Sequence, residues 1–257
     1  MIISDAQKIF KGSTEVLRAF AGGSQVWPKI VTDGLVLHLD AGDVNSYPGS
    51  GTTWYDLSGN GNNGTLVNGV GYEAANNGSM TFDHSNDYCN VMPIHRTVQA
   101  TIEVWFNTSS VSSDTASRQY LYTQQRNPPL LAQYTYQERQ GVHVAGNLMH
   151  FQYFSTDNAV GTVKTLPGSI TANRWHHVTA TIDGITACIY IDGIASGFLT
   201  KPSKATSVTQ GFIGRRGDAQ GNDFLGGKIA IVREYCRALS VQEVKQNFNA
   251  TRLRYGL

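Results

Sequence analysis

Charge is scarce in this sequence. Asp, Glu, Lys and Arg make up 15% of its 257 residues and nearly cancel, leaving a formal net charge of +1. Acids and bases are interleaved, and no run of one sign is long enough to follow a phosphate backbone or an anionic bilayer. Nucleic acid is therefore not expected as a partner. Long apolar runs are missing too: nowhere do about 18 apolar residues follow one another, so no membrane insertion is expected. Cysteine is rare, with Cys89, Cys188 and Cys236 far apart and no CxxC or Cys/His spacing. That pattern suggests neither a zinc site nor a complete disulfide framework, and within a monomer at least one thiol is free. The start, MIISDAQKIF, lacks a basic segment followed by an apolar stretch, so synthesis in a cytoplasm and a soluble chain are expected. Sequons begin at Asn63, Asn77, Asn107 and Asn249, but without a secretory signal they follow from a composition rich in Asn, Ser and Thr.

What is plentiful is glycine, at 27 residues, together with Asn, Ser and Thr. This is the composition of many short strands joined by polar turns. The length suits one large all-β domain able to bury its own core. Within the first thirty residues IFKGSTEV (Ile9 to Val16) aligns with AFAGGSQV (Ala19 to Val26) at a period of ten. Each copy sets apolar residues on either side of a polar turn containing glycine, the pattern of a short hairpin, and two such strands alone are marginal in water. Trp27-Pro28 closes the segment, and a boundary is expected near residue 30.

From Leu35 onward strand-like runs alternate with turn clusters: GLVLHLDA, PGSGTTWYDLSGNGNNG, SMTFDHSNDYCNV. TIEVWFNT (Thr101 to Thr108) alternates Ile102, Val104 and Phe106 with Glu103, Trp105 and Asn107, the two-residue period of a sheet with one face inward. HHVTATIDG and ITACIYIDG repeat the pattern, and Asp183-Gly184 between them predicts a two-residue hairpin turn. Only ALSVQEVKQNFNATRLR reads as helical. Ser240 followed three residues later by Glu243 makes a capping box, with Val241, Val244 and Phe248 at helical spacing.

The ordered set LVLHLDAG, WYDLSGNGNNGTL, SMTFDHSNDY, TIEVWFNT, NRWHHVTATIDG, CIYIDGIASG, FIGRRG and FLGGKIAIVREYCRALSVQEVKQNF resembles the laminin-G-like, concanavalin A-like jelly-roll superfamily. The resemblance spans about Thr32 to Phe248. It implies an all-β, two-sheet antiparallel β-sandwich over residues 31–257, with a short C-terminal helix and a small N-terminal β hairpin segment over 1–30. The WYDLSGNGNNGTL block, the repeat and the ending NFNATRLRYGL are similar to versions in tailed-phage fibre, tail and capsid-decorating proteins. That likeness implies a virion structural protein, docked on other virion proteins through Phe10, Val16, Phe20, Val26 and Trp27. A homo-oligomer is expected with it. The alternative is a lectin-like adhesin at a bacterial surface or secreted, binding surface polysaccharide.

Catalysis is not expected. Glycosidases of this sandwich need two carboxylates flanking a groove, and no E-x-D-x-x-E strand occurs; Glu103, Asp183 and Asp192 are isolated or lie in turns. No GxSxG elbow accompanies His176 and His177, and in TrpHisHisVal the resemblance implies a Trp175 packed at a strand start. Calcium takes oxygen ligands from loops, and the candidates are Asp40 with Asp43, Asp56 with Asn60, Asp83 with Asp87, and Asp218 with Asp223. Tight turns select Asp for their own reasons. A glycan platform could draw on Trp54 and Tyr55, Tyr134 and Tyr136, or Arg215 and Arg216, although Trp54 and Trp105 also suit a core. The stretch Arg118 to His150, richer in Gln, Tyr, Asn and Pro than its flanks, is a first choice for a binding surface.

Overall fold

A computed structural model describes the short strands within residues 9–27 and residues 29–94, 98–112, 118–125, 139–154, 160–203, 210–217 and 223–257. The repeat folds as two separate antiparallel hairpins, β1 (Ile9–Lys11) with β2 (Thr14–Val16) and β3 (Ala19–Ala21) with β4 (Ser24–Trp27). Phe10, Val16, Phe20, Val26 and Trp27 sit in these strands, but their side chains lie outside the described residues.

There follow β5 (Leu35–Asp40), β6 (Thr53–Trp54), β7 (Gly64–Val67), β8 (Gly71–Glu73), β9 (Ser79–Asp83), β10 (Tyr88–Val91), β11 (Ala100–Thr108) and β12 (Arg118–Gln125). The chain continues with β13 (Arg139–Ala145), β14 (Leu148–Phe154), β15 (Val160–Lys164), β16 (His176–Ile182), β17 (Thr186–Ile191), β18 (Ile194–Thr200), β19 (Gln210–Ile213), β20 (Gly226–Tyr235) and the helix α1 (Val241–Thr251). Sheet I runs β15-β14-β13-β12-β19-β10-β7-β6. Sheet II runs β18-β17-β16-β11-β20-β9-β8, with β5 pairing a second stretch of β20. All pairings are antiparallel, and together the two layers make the expected sandwich.

Alternation along each strand places one apolar row inward. Leu37 and Leu39, Ile102, Val104 and Phe106, Val178 and Ala180, and Val232 from sheet II meet Cys89, Leu121, Tyr122, Val142, Phe151 and Ile213 from sheet I. Trp54 joins this core, fully buried. The β16–β17 hairpin forms one residue later than Asp183-Gly184 suggests. Asp183 N donates to Thr186 O at 3.2 Å, so the central pair is Gly184-Ile185. Gly184 has φ 103°, a first-position conformation that only glycine adopts without strain. The Asp183 carboxylate caps the turn by accepting from Ile185 N and Thr186 N.

The second face of sheet II is covered as well, and here the structure departs from the one-face-inward expectation. Glu103 and Trp105 are both fully buried, because α1 packs across them. Its capping box forms as expected: Ser240 Oγ accepts from Glu243 N at 3.3 Å and Ser240 N donates to Glu243 Oε2 at 2.8 Å. The packed stripe is Val244, Asn247, Phe248 and Thr251, spaced i, i+3, i+4, i+7, while Val241 is exposed. A bulge in β20 at Ala230 lets both Ala230 and Ile231 join Trp105, Trp175 and Tyr255 under this cover. Among the described residues, no helix is long and apolar enough to cross a membrane.

Candidate functional site

The acids proposed for calcium are occupied by the protein itself. Asp40 holds Arg254 bidentately, Nη1 to Oδ2 at 2.6 Å and Nη2 to Oδ1 at 2.9 Å, and also accepts from Gly42 N. A guanidinium on both oxygens takes the place a metal would need, so Asp40 is corrected from ligand to structural anion. Asp43 accepts from the backbone and side chain of Asn45 in a local turn. Asp83 accepts from Ser85, Asn86 and Asp87 N, which holds its carboxyl below the usual carboxylate range. Asp87 returns a bond from Asp83 N, and burial followed by the Asp83 charge pushes it up. Asp56 accepts from His38, Ser58 and Asn62 N, fixing the glycine-rich loop that contains Asn60. Asp223 pairs with Arg216 at 2.9 Å, and Asp218 lies outside the described residues. Among the described residues, no three His, Cys, Asp or Glu side chains cluster as a metal set.

His176 and His177 are buried supports. His176 Nε2 accepts from Thr171 N at 3.1 Å, and its Nδ1 stands 3.4 Å from Asp192 Oδ2. His177 Nε2 lies 3.0 Å from Glu103 Oε1, beneath α1. Glu234, the next residue after Arg233, points the other way into the sandwich, where its Oε2 accepts from the Tyr122 hydroxyl and from Gln124 Nε2. Glu103 and Glu234 are fully committed to opposite faces of sheet II.

The glycan residues separate. Trp54 is corrected: fully buried in the core, it cannot offer a ring to a ligand. Tyr55, just after it, is exposed beside the edge strand β6, three strands away from β19, and so does not share a surface with Arg215. Tyr134 and Tyr136 lie outside the described residues, as does much of the Arg118 to His150 stretch. Arg216 is tied to Asp223. Arg215 remains, and it is held firmly on the outer face of sheet I.

Register shows how. One cross-strand row runs Thr53, Thr65, Asn90, Phe212, Thr123, Gly141, Gln152 and Thr162 through all eight strands of sheet I. Over the middle of that row the Arg215 guanidinium stands 4.4 Å from the ring centres of both Tyr88 and Phe212, which meet edge to face at 6.1 Å. Each such stack stabilises by about 0.5–1 kcal/mol. Arg215 Nε donates to Arg216 O, and its carbonyl accepts from Thr123 Oγ1. The β12–β13 side of the face is closed, since Tyr120, Thr123 and His143 are buried. The β10–β7 side is open, with Thr65 and Asn90 exposed and Tyr88 and Arg215 half-buried. The open part thus combines an amide, two kinds of hydroxyl and a pinned guanidinium over an aromatic floor. Arg215 was among the candidates singled out in the sequence; Tyr88, Asn90 and Phe212 were not. The alternation Tyr88, Cys89, Asn90, Val91 was the available signal, giving one polar outer face and one apolar inner face.

A sequence profile of the concanavalin A-like lectin/glucanases superfamily matches residues 75–245, more than half of the chain. No curated protein matches the sequence. Among solved structures the chain is similar to the binding domain of Paraclostridial Mosquitocidal Protein 1, with TM-score 0.64 and 17% identity over 85% of this chain and 52% of that one. It is similar also to the receptor binding domain of botulinum neurotoxin type G, at 0.62 and 15% over 84% and 51%. The botulinum neurotoxin serotype D binding domain gives 0.63 and 11% over 87% and 53%. The chain therefore spans about half the length of these structures, and at such identities the likeness is one of fold.

Proposed function

Since the chain belongs to the concanavalin A-like lectin/glucanases superfamily, we propose that it is a non-catalytic carbohydrate-binding module that seats a saccharide on the open half of sheet I's outer face. The observation that carries this reading is the Arg215 guanidinium pinned between Tyr88 and Phe212, beside exposed Asn90 and Thr65. A saccharide needs directed donors and acceptors beside an apolar surface, and donors fixed in advance lose little entropy on binding. The neighbouring structures described as receptor-binding or binding domains support a binding role. The commitment of Glu103 and Glu234 to internal partners supports the absence of hydrolysis.

A glycan array followed by calorimetry on its best ligand tests the reading. Arg215→Ala is expected to weaken binding at least 10-fold, about 1.4 kcal/mol, with melting temperature nearly unchanged. Chelation of calcium is expected to leave binding unaltered, because the described loop acids are held by protein donors. A silent array, or an Arg215→Ala variant that binds as well as the parent, overturns it.

The two N-terminal hairpins favour a second, compatible reading. Each is a two-stranded sheet of three- or four-residue strands, a size that is marginal on its own, and attachment to a larger assembly would supply the missing contacts. We propose that they dock a virion structural protein, of the capsid-decorating, tail or fibre kind, onto its particle. Deleting residues 1–30 is expected to abolish incorporation while leaving the sandwich folded; unchanged incorporation rules it out.

A further inference from the structure

The outer face of sheet II is covered by α1 and the C-terminal turn only as far as Trp105, Ala230 and Tyr255. One step along the same face, β11 and β20 present Asn107 directly opposite Lys228, and the row continues through Thr81 of β9 to Gly71 of β8. Here a depression of about 290 Å³ opens, lined by Asn107, Ser109, Asn173, Gly227 and Lys228. It is a built feature with fixed walls. Asn173 N donates to Thr108 O at 2.8 Å, and Ser109 Oγ donates to Gly226 O at 2.9 Å. Gly227, at φ 145°, lies so close to the Asn107 carbonyl that any Cβ would collide with it. Asn173 itself adopts φ 59°, which Asn tolerates better than most residues.

The lining has a definite chemical character. Each Asn amide offers a donor pair and an acceptor, Ser109 has spent its proton on Gly226 and offers lone pairs, and Lys228 donates, its charge met by an ion pair with Glu73 outside the lining. Lys228 and Glu73 cancel in charge, so nothing in the depression favours an anion. The lining thus supplies both donors and acceptors, which suits vicinal hydroxyls, each of which gives one hydrogen bond and receives others. We infer that this depression is a second saccharide site, specific for a neutral hexose unit, on the opposite face of the sandwich from Arg215. The inference rests on the reading of the chain as a carbohydrate-binding module and makes that module bivalent, so that two weak contacts to one polysaccharide reinforce each other.

Residue-resolved NMR of the full chain tests it, using methyl glycosides of glucose, galactose, mannose and N-acetylglucosamine, with glucuronate as the charged comparison. At least one neutral glycoside is expected to shift the backbone amide signals of Ser109, Gly227 and Lys228 saturably, together with the side-chain amides of Asn107 and Asn173 in the parent. Asn107→Ala with Asn173→Gly, the latter keeping the positive φ without strain, is expected to weaken that titration at least 10-fold, whereas Arg215→Ala leaves it unchanged. Shifts caused by glucuronate alone would mean simple attraction to Lys228 and overturn the inference. If neutral glycosides perturb signals around Arg215 and Asn90 but none here, this second site is refuted and the proposed function stands; if neither region responds to any sugar, both fall.

Discussion

Arg233→Leu is expected to cost about 3–5 kcal/mol of folding stability. At about 2–4 °C per kcal/mol for a domain of this size, the melting temperature should drop by about 10 °C. Arg233 and Glu103 face each other across β20 and β11, both essentially inaccessible to water, and their side chains form an ion pair under α1. Glu103 Oε1 also contacts His177 Nε2 at 3.0 Å, and Oε2 accepts from Asn247 Nδ2 at 2.7 Å. Asn247 continues the network, donating to the Tyr235 hydroxyl at 2.9 Å and accepting from Val31 N at 2.8 Å. Taking away the guanidinium leaves a buried carboxylate without its cationic partner, beneath the helix whose Asn247 it accepts from. The double variant Glu103→Leu/Arg233→Met should recover most of the loss, because exchanging a whole buried pair for apolar groups is often neutral or better. Arg216→Leu serves as the control. Its pair with Asp223 is part-exposed, and such pairs contribute about 0–1 kcal/mol. Urea unfolding of the four proteins decides the matter: equal losses for Arg233→Leu and Arg216→Leu would contradict the account.

What the sequence revealed, and what it hid, follows from how far apart the interacting residues lie. The N-terminal hairpins, the capping box at Ser240 and Glu243 and the β16–β17 hairpin are contacts within a few residues, and each was legible from local pattern. The sandwich was legible because two-residue alternation needs no knowledge of the partner strand. Glu103 looked like an isolated strand acid because its cover comes from Asn247, 144 positions later, on a helix whose packed stripe is half polar. Asp40 looked like a loop ligand until Arg254, 214 positions away, closed on it. At the candidate site the loop bearing Arg215 stood out by its charge. Its floor did not, since Tyr88 and Phe212 meet only through the pairing of β10 with β19. Trp54 was ambiguous for a different reason: a large aromatic beside a glycine-rich loop satisfies either a platform or a core, and only burial separates the two.

Acid should unfold this protein in two stages, and the first involves histidines. His38 pairs with Arg233 across β5 and β20 and is lowered to about 4, by burial first and then by the Arg233 charge, against the opposing pull of Asp40, Glu103 and Asp56. His150, between His143 and Lys164 on sheet I, is also lowered to about 4, by burial and then by Lys164 and Arg118. Both are therefore neutral in the fold at pH values where the unfolded chain, with His near 6.5, already takes up protons. Stability from these groups is complete above pH 6.5 and is lost as pH falls toward 4, by on the order of 2–3 kcal/mol for each. The second stage comes from Glu103, which Arg233, His177 and Asn247 hold down at about 2 against its burial. Its contribution is present above the unfolded carboxylate value near 4.5 and disappears as pH drops through 2. Melting temperature measured from pH 7.5 to 2.5 should accordingly begin to fall near 6.5 and fall again below 4.5. His38→Gln with His150→Gln should flatten the upper stage and spare the lower. The two expectations are also linked, because Arg233→Leu removes the charge that adds to burial in depressing His38. That variant, though less stable throughout, should lose less between pH 7 and 4 than the parent does, and an undiminished loss would mean that Arg233 does not govern the titration of His38.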